Sequence, residues 1–136
     1  MKQDKLEALL PHRRPMLLID EAEAENGRAT GRVRIKGDEW FLQGHFPGNP
    51  VVPGVILCEM MAQTCCVLLA GETQGVTPYF TGLDGIRFKK SVRPGDEVVF
   101  ECAVLRRKGP FCFARGTGSV NGAVCISGDF SFALVK

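Results

Sequence analysis

Residues 55–70 constrain this chain more than any other stretch. They read VILCEMMAQTCCVLLA, apolar on almost every side, with good helix formers at Leu57, Met60, Met61, Ala62, Leu68 and Leu69. Pro53 suits a helix start and Gly71 a helix end. A helix that is apolar all round is expected to be buried all round. It is not a membrane span. Pro53, Gly54, Glu59, Gln63 and Thr64 interrupt the surrounding sequence, and a span needs about 18–20 apolar residues in a row.

The rest of the chain must cover that helix, and it is written mostly in strands. Gly31, Val33 and Ile35 alternate with Thr30, Arg32, Arg34 and Lys36, the period of a half-buried strand. Ile86 and Phe88 alternate with Arg87 and Lys89. Val98, Phe100, Cys102 and Val104 share one face of a later strand, and Ile126, Phe130, Phe132 and Leu134 one face of the last. Asn26-Gly27 and Asn121-Gly122 are hairpin signals. Pro94-Gly95 marks a turn, and a further turn is expected over residues 106–110. Residues 5–10 form a short helix candidate stopped by Pro11. One long buried helix and five or six antiparallel strands predict an α+β fold in which a sheet wraps the helix, with a second subunit covering what remains.

Composition sets the outer limits. The 136 residues suffice for one domain with a core, 45% are hydrophobic and 24% charged, and no linker or repeat divides residues 1–136. A net charge of +2 gives no reason to expect nucleic acid as a partner. The six cysteines form no Cys-x-x-Cys pair, so they read as small buried hydrophobes in a reducing compartment, and no metal site is expected. The residues after Met1 are polar and charged, unlike a signal peptide, so the expected location is cytoplasmic.

Glu59 is the oddest residue on physical grounds. It lies in the second turn of the apolar helix, with Val55, Cys58, Met60 and Gln63 around it and no cation among them. An unpaired buried charge is costly, so such a group pairs, neutralises or acts. Gln63, four residues on, shares its face and can hold the carboxyl by a hydrogen bond. A plain structural carboxyl near a helix start is the alternative, since the dipole there favours negative charge. His45 is one of two histidines and sits in a loop, residues 43–54, that carries three prolines and three glycines. Imidazole exchanges protons near neutral pH. His12 reads as structural or at the edge of a substrate. Gly54 and Val55 open the helix, where backbone N–H groups lack acceptors and a carbonyl can approach a glycine closely.

Three blocks of sequence make these residues more specific. The stretch Gly44-His45-Phe46-Pro47-Gly48-Asn49-Pro50-Val51-Val52-Pro53-Gly54-Val55, continuing through Glu59 and Gln63, resembles the signature of the hot-dog-fold 3-hydroxyacyl-[acyl carrier protein] dehydratases of fatty acid synthesis, the FabZ type. Leu10-Pro11-His12-Arg13 with Pro15-Met16-Leu17-Leu18-Ile19-Asp20 is similar to the opening of that family. Arg87-Phe88-Lys89-Lys90-Ser91-Val92-Arg93-Pro94-Gly95-Asp96 is similar to its later strand and turn.

The resemblance implies a hot-dog fold, an antiparallel sheet around a long central helix. It implies loss of water from (3R)-3-hydroxyacyl chains to give trans-2-enoyl chains, both carried on the phosphopantetheine of acyl carrier protein, with no other cofactor and no metal. His45 would be the base, and the N–H groups of Gly54 and Val55 would hold the thioester oxygen. Glu59, oriented by Gln63, would help the hydroxyl leave. Asp at this position accompanies isomerising relatives, so Glu59 favours simple dehydration. The family pairs His from one subunit with Glu from the other, in dimers that often assemble as trimers of dimers.

Two basic runs, Arg87, Lys89, Lys90 with Arg93, and Arg106, Arg107 with Lys108, are the candidates for docking an acidic carrier protein. Phe88, Phe111 and Phe113 are candidates for the acyl tunnel, and Tyr79, in a stretch read as loop, for its gate. The competing readings are a hot-dog acyl thioesterase, a dehydratase of a specialised lipid or polyketide pathway, and a non-catalytic acyl-binding protein.

Overall fold

The computed structural model describes residues 1–69 and 76–136. The expected helix stop at Gly71 lies outside the described residues. In chain order the elements are helix α1 (Gln3–Leu9), strands β1 (Glu21–Glu25) and β2 (Arg28–Arg34), a short 3-10 turn (Trp40–Leu42), helix α2 (Gly54–Cys66) continued by a 3-10 turn (Val67–Leu69), and strands β3 (Thr77–Phe88), β4 (Glu97–Lys108), β5 (Phe111–Val120) and β6 (Ala123–Val135). The strands form one antiparallel sheet in the order β1-β2-β4-β5-β6-β3. Between β2 and β3 the chain passes through α2, which packs on β4, β2 and β5. That crossing carries β3 to the sheet edge farthest from β1.

Small residues let the sheet close on the helix. A Cβ at Gly31 would overlap the Thr64 side chain of α2, and one at Gly116 would stand 2.8 Å from Met61. Within the sheet Gly31 pairs with Phe100 and Phe100 with Gly118. A Cβ at Gly118 would meet the Phe100 ring at 2.8 Å, so the glycine makes room for that fully buried ring. The core gathers Met60, Met61 and Cys65 from the helix with Val98, Phe100, Cys112, Ile126 and Phe132 from the strands.

Both Asn-Gly pairs form two-residue hairpin turns, with φ of 53° and 76° at Asn26 and Gly27 and of 51° and 81° at Asn121 and Gly122, the left-handed values such turns require. All six cysteines are buried and none is in a disulfide.

Three expectations need correction. First, α2 is not buried all round: Val55 in its first turn is 72% exposed. Second, β3 begins at Thr77, so Tyr79 belongs to a strand. Weak alternation hid it, because an edge strand with register breaks at Phe80/Gly82 and Asp84/Arg87 need not alternate. Third, β4 runs on through Arg106, Arg107 and Lys108, with a register shift between Val104 and Arg106. The turn follows at Gly109, whose φ is 57°.

Candidate active site

His45 is carried by the loop that enters α2. Its backbone N–H donates to the Leu42 carbonyl at 3.4 Å, and its ring lies 4.0 Å from the Phe46 ring centroid to centroid. Phe46 holds φ at 53° and is followed by Gly48 at 81°. Non-glycine residues with positive φ are uncommon and cluster where surrounding structure enforces them. The enforcement is visible here. Asn49 N–H donates to the Phe46 carbonyl at 2.8 Å, Val52 N–H to the Val92 carbonyl at 2.8 Å, and the Arg93 guanidinium to Asn49 Oδ1 at 2.8 Å. Arg93, expected as a docking cation, thus braces the loop.

The loop delivers the chain to Pro53, the residue before α2. Ile56 and Leu57 N–H groups donate to the Pro53 carbonyl at 3.0 and 3.2 Å. The amides of Gly54 and Val55 precede them, in the first turn where a helix supplies no acceptor. His45, Phe46, Gly54, Val55, Leu57 and Phe88, with Lys89 and Lys90 at the rim, line one open groove of about 510 Å³. The Phe88 ring lies where a side chain at residue 54 would stand, 2.8 Å from the position of a Cβ on Gly54. Gly54 therefore leaves room for this ring, as well as suiting close approach of a carbonyl.

Glu59 sits one turn further along α2 and belongs to a different pocket, a small cavity of about 40 Å³ lined by His12, Glu59, Gln63, Cys66, Phe80 and Phe132 among others. Its side chain is 21% exposed. Gln63, fully buried, donates from Nε2 to Glu59 Oε2 at 2.9 Å and to the Met16 carbonyl at 2.7 Å, while its Oε1 accepts the Leu18 N–H at 2.9 Å. The expected Gln63–Glu59 bond is present. A polar partner missing from the helix comes from elsewhere: His12 Nε2 lies 3.3 Å from Glu59 Oε2. The sequence reads His12 as structural or at the edge of a substrate, not as a partner of Glu59. Its place in the Leu10-Pro11-His12-Arg13 block was the only available signal.

Within one chain no hydrogen bond or ion pair joins His45 to Glu59 among the described residues, and the two line separate pockets. Of the tunnel candidates only Phe88 lies beside His45. Phe113, with Arg106 stacked 4.3 Å over its ring, lines a separate groove with Leu83. Tyr79 stands 58% exposed on the edge strand. Among the described residues no group of three or more His, Cys, Asp or Glu side chains is placed to hold a metal ion, and no helix is long and apolar enough to cross a membrane.

An antiparallel sheet wrapped on one central helix is the hot-dog fold. Residues 10–129 match the family model described as FabA-like domain, and the chain belongs to that family. Within it, the chain is 45% identical over 135 residues to the 3-hydroxyacyl-[acyl-carrier-protein] dehydratase FabZ of Caldicellulosiruptor bescii, covering 96% of each chain. It is 42% identical to the FabZ of Halalkalibacterium halodurans, again over 96% of each. Among solved structures it resembles the dehydratase heterocomplex ApeI:P from Xenorhabdus doucetiae, with a TM-score of 0.82 at 20% identity, over 96% of this chain and 91% of that one. A hypothetical thioesterase with coenzyme A from Streptococcus pneumoniae shares the fold at a TM-score of 0.65 and 12% identity, over 85% and 84% of the chains.

Proposed function

We propose that this protein eliminates water from (3R)-3-hydroxyacyl thioesters borne on acyl carrier protein, giving the trans-2-enoyl thioester of fatty acid biosynthesis. The observation that carries the reading is the conjunction of His45, the open first turn of α2 and a held carboxyl at Glu59, in a chain this similar to FabZ dehydratases.

In the proposed mechanism the thioester oxygen lies against the Gly54 and Val55 amides, with the phosphopantetheine arm along the groove toward Lys89 and Lys90. His45 takes the proton next to the carbonyl, and the two amides stabilise the charge that develops on oxygen. Preorganised donors of this kind contribute about 100- to 1,000-fold each. Glu59 gives its proton to the 3-hydroxyl, which departs as water. One group ends the reaction with an extra proton and the other without, so a proton passes from His45 to Glu59 or solvent before the next turnover. No step calls on a cofactor or metal beyond the carrier's phosphopantetheine.

The site is completed by a second copy, His45 of one chain facing Glu59 of the other. The separation of the two residues in one chain supports this. So does the apolar surface left bare: Val55, Phe46 and, on the edge strand β3, Tyr79, Leu83 and Phe88 are all exposed. An unpaired apolar edge strand invites pairing with another chain. Assembly of three such dimers would read in solution as six times the mass of one chain. The cytoplasm is the compartment proposed, in keeping with six cysteines outside any disulfide.

The test is spectrophotometric. Purified protein, treated with chelator, is expected to hydrate a trans-2-enoyl thioester reversibly and to release no free thiol. Thiol release without hydration would point to a thioesterase instead. Activity lost on chelation and restored by a divalent ion would overturn the metal-free mechanism.

A further inference from the structure

We propose that His12 is a positioning residue for Glu59: together with Gln63 it occupies Oε2 of the carboxyl and reserves Oε1 for the proton given to the leaving hydroxyl. The inference rests on the dehydratase reading and deepens it.

The orientation of Gln63 is settled by its other partners. Its Oε1 accepts the Leu18 N–H and its Nε2 donates to the Met16 carbonyl, so the group it turns to Glu59 is an N–H donor. Oε2 is thereby an accepting oxygen. His12 Nε2 stands 3.3 Å from that same oxygen. Its other nitrogen, Nδ1, is buried and has no hydrogen-bond partner.

The ring proton therefore has two unequal places. On Nε2 it lies on the side of Oε2, 3.3 Å away, and leaves Nδ1 as a bare lone pair. On Nδ1 it would be buried without an acceptor, while Nε2 set a second lone pair against the carboxyl oxygen. The first arrangement avoids both penalties.

With the Gln63 amide donating to Oε2 and the His12 ring nitrogen 3.3 Å from the same oxygen, a carboxyl proton belongs on Oε1. No hydrogen bond or ion pair reaches Oε1 among the described residues. The proton is thus carried on the oxygen that the protein leaves unengaged.

The support for His12 is itself braced. The Arg13 guanidinium donates to the Leu10 and His12 carbonyls at 2.9 and 2.8 Å. Met16 and Leu17 N–H groups donate to the Arg13 carbonyl at 2.8 and 2.9 Å. One turn, residues 10–18, therefore holds His12 and supplies both backbone groups that fix Gln63. The Leu10-Pro11-His12-Arg13 block thereby gains a physical role.

The test compares His12→Gln, His12→Asn and His12→Leu. Glutamine puts an amide nitrogen near the position of Nε2. Asparagine keeps a polar side chain but falls short of Glu59. Turnover of the enoyl thioester should stay within about fivefold of wild type in His12→Gln. In the other two kcat should fall about 10- to 100-fold with KM within about twofold, the scale of a weakened acid–base group. In parallel, the infrared carboxyl band identified by difference against Glu59→Gln should shift in His12→Asn and His12→Leu and hold in His12→Gln.

Equal kcat in all three variants, a loss seen only in KM, or an unmoved band would overturn the proposal. If His12→Leu fails to fold, the Gln and Asn pair carries the comparison. A wild-type protein that turns over no 3-hydroxyacyl or enoyl thioester would instead defeat the dehydratase reading, and the infrared comparison would still decide the pairing.

Discussion

His45 and Glu59 lie on the same short stretch of chain yet face different pockets: His45 shares its groove with Val55 and Phe88, Glu59 its cavity with His12 and Phe132. The two-chain site proposed above would bring His45 of one chain to Glu59 of another. His45→Ala and Glu59→Ala are each expected to lose at least about 100-fold in kcat while remaining folded. Mixed and allowed to exchange subunits, they should recover about a quarter of wild-type activity, since half the dimers are mixed and each holds one intact site. A mixture shown to exchange by mass spectrometry that stays inactive would place both residues' work within one chain.

Local chemistry made some of this legible beforehand. The Asn-Gly turns could be read because only such pairs adopt two successive left-handed residues readily. Glu59 stood out because a carboxyl amid Met60, Met61 and Cys58 needs a reason. What sequence patterning missed has a common cause. Hydrophobicity records that Val55 is apolar but not that the chain's own fold leaves it 72% exposed. Edge strand β3 has one neighbour and two register breaks, so its first half showed no period. His12 reaches Glu59 through the turn at residues 10–18, a contact between segments distant in sequence, which no helical spacing reveals.

Gly54→Ala is expected to act through Phe88. The added methyl would stand 2.8 Å from the ring, closer than van der Waals contact allows, so the ring must turn aside or the helix start must shift. Phe88 is 55% exposed and has room to move, so the fold should survive with a melting temperature within a few degrees of wild type. Activity should fall about 10- to 100-fold if the amides at the helix start are displaced, a fraction of what such donors contribute. In the double variant Gly54→Ala, Phe88→Ala the steric part is removed. Coupling between the two changes, measured as a double-mutant cycle in kcat/KM, should be positive. Strict additivity would show that the glycine serves the substrate alone.

Lys89 and Lys90 rim the groove that holds His45, whereas Arg93 is engaged by Asn49 and Arg106 by Phe113. Docking of an acidic carrier should therefore depend on the two lysines. Lys89→Glu with Lys90→Glu is expected to raise KM for carrier-borne substrate by about tenfold, an effect that added salt should shrink. The same variant should treat a short pantetheine thioester like wild type, because no carrier is involved. An equal defect on both substrates would mean that the lysines shape the groove and do not dock the carrier.

The cysteines predict how the fold responds to alkali. Burial pushes the Cys66 thiol up to about 12, from an ordinary value of 9.0, with smaller contributions from the charges of Glu59 and Cys112. Burial likewise pushes Cys102 up to about 12. A thiol whose pKa is raised by folding binds its proton more tightly in the native state than in the unfolded chain. Its contribution to stability is therefore complete below about pH 9 and is lost as pH climbs toward 12, because the unfolded chain ionises first. The urea midpoint should fall between pH 8 and pH 10.5, and the fall should be smaller in Cys66→Ala, whatever that variant's own cavity costs at pH 8. Alkylation gives a second reading. The thiolate is the nucleophile, and burial withholds both it and access to the reagent. Native protein at pH 8 should therefore react with a thiol reagent only over hours, and protein in denaturant should titrate all six cysteines at once. Rapid labelling of one native cysteine would locate a thiol that opens to solvent, and a midpoint independent of pH would show that the unfolded chain shields its thiols as well as the native one does.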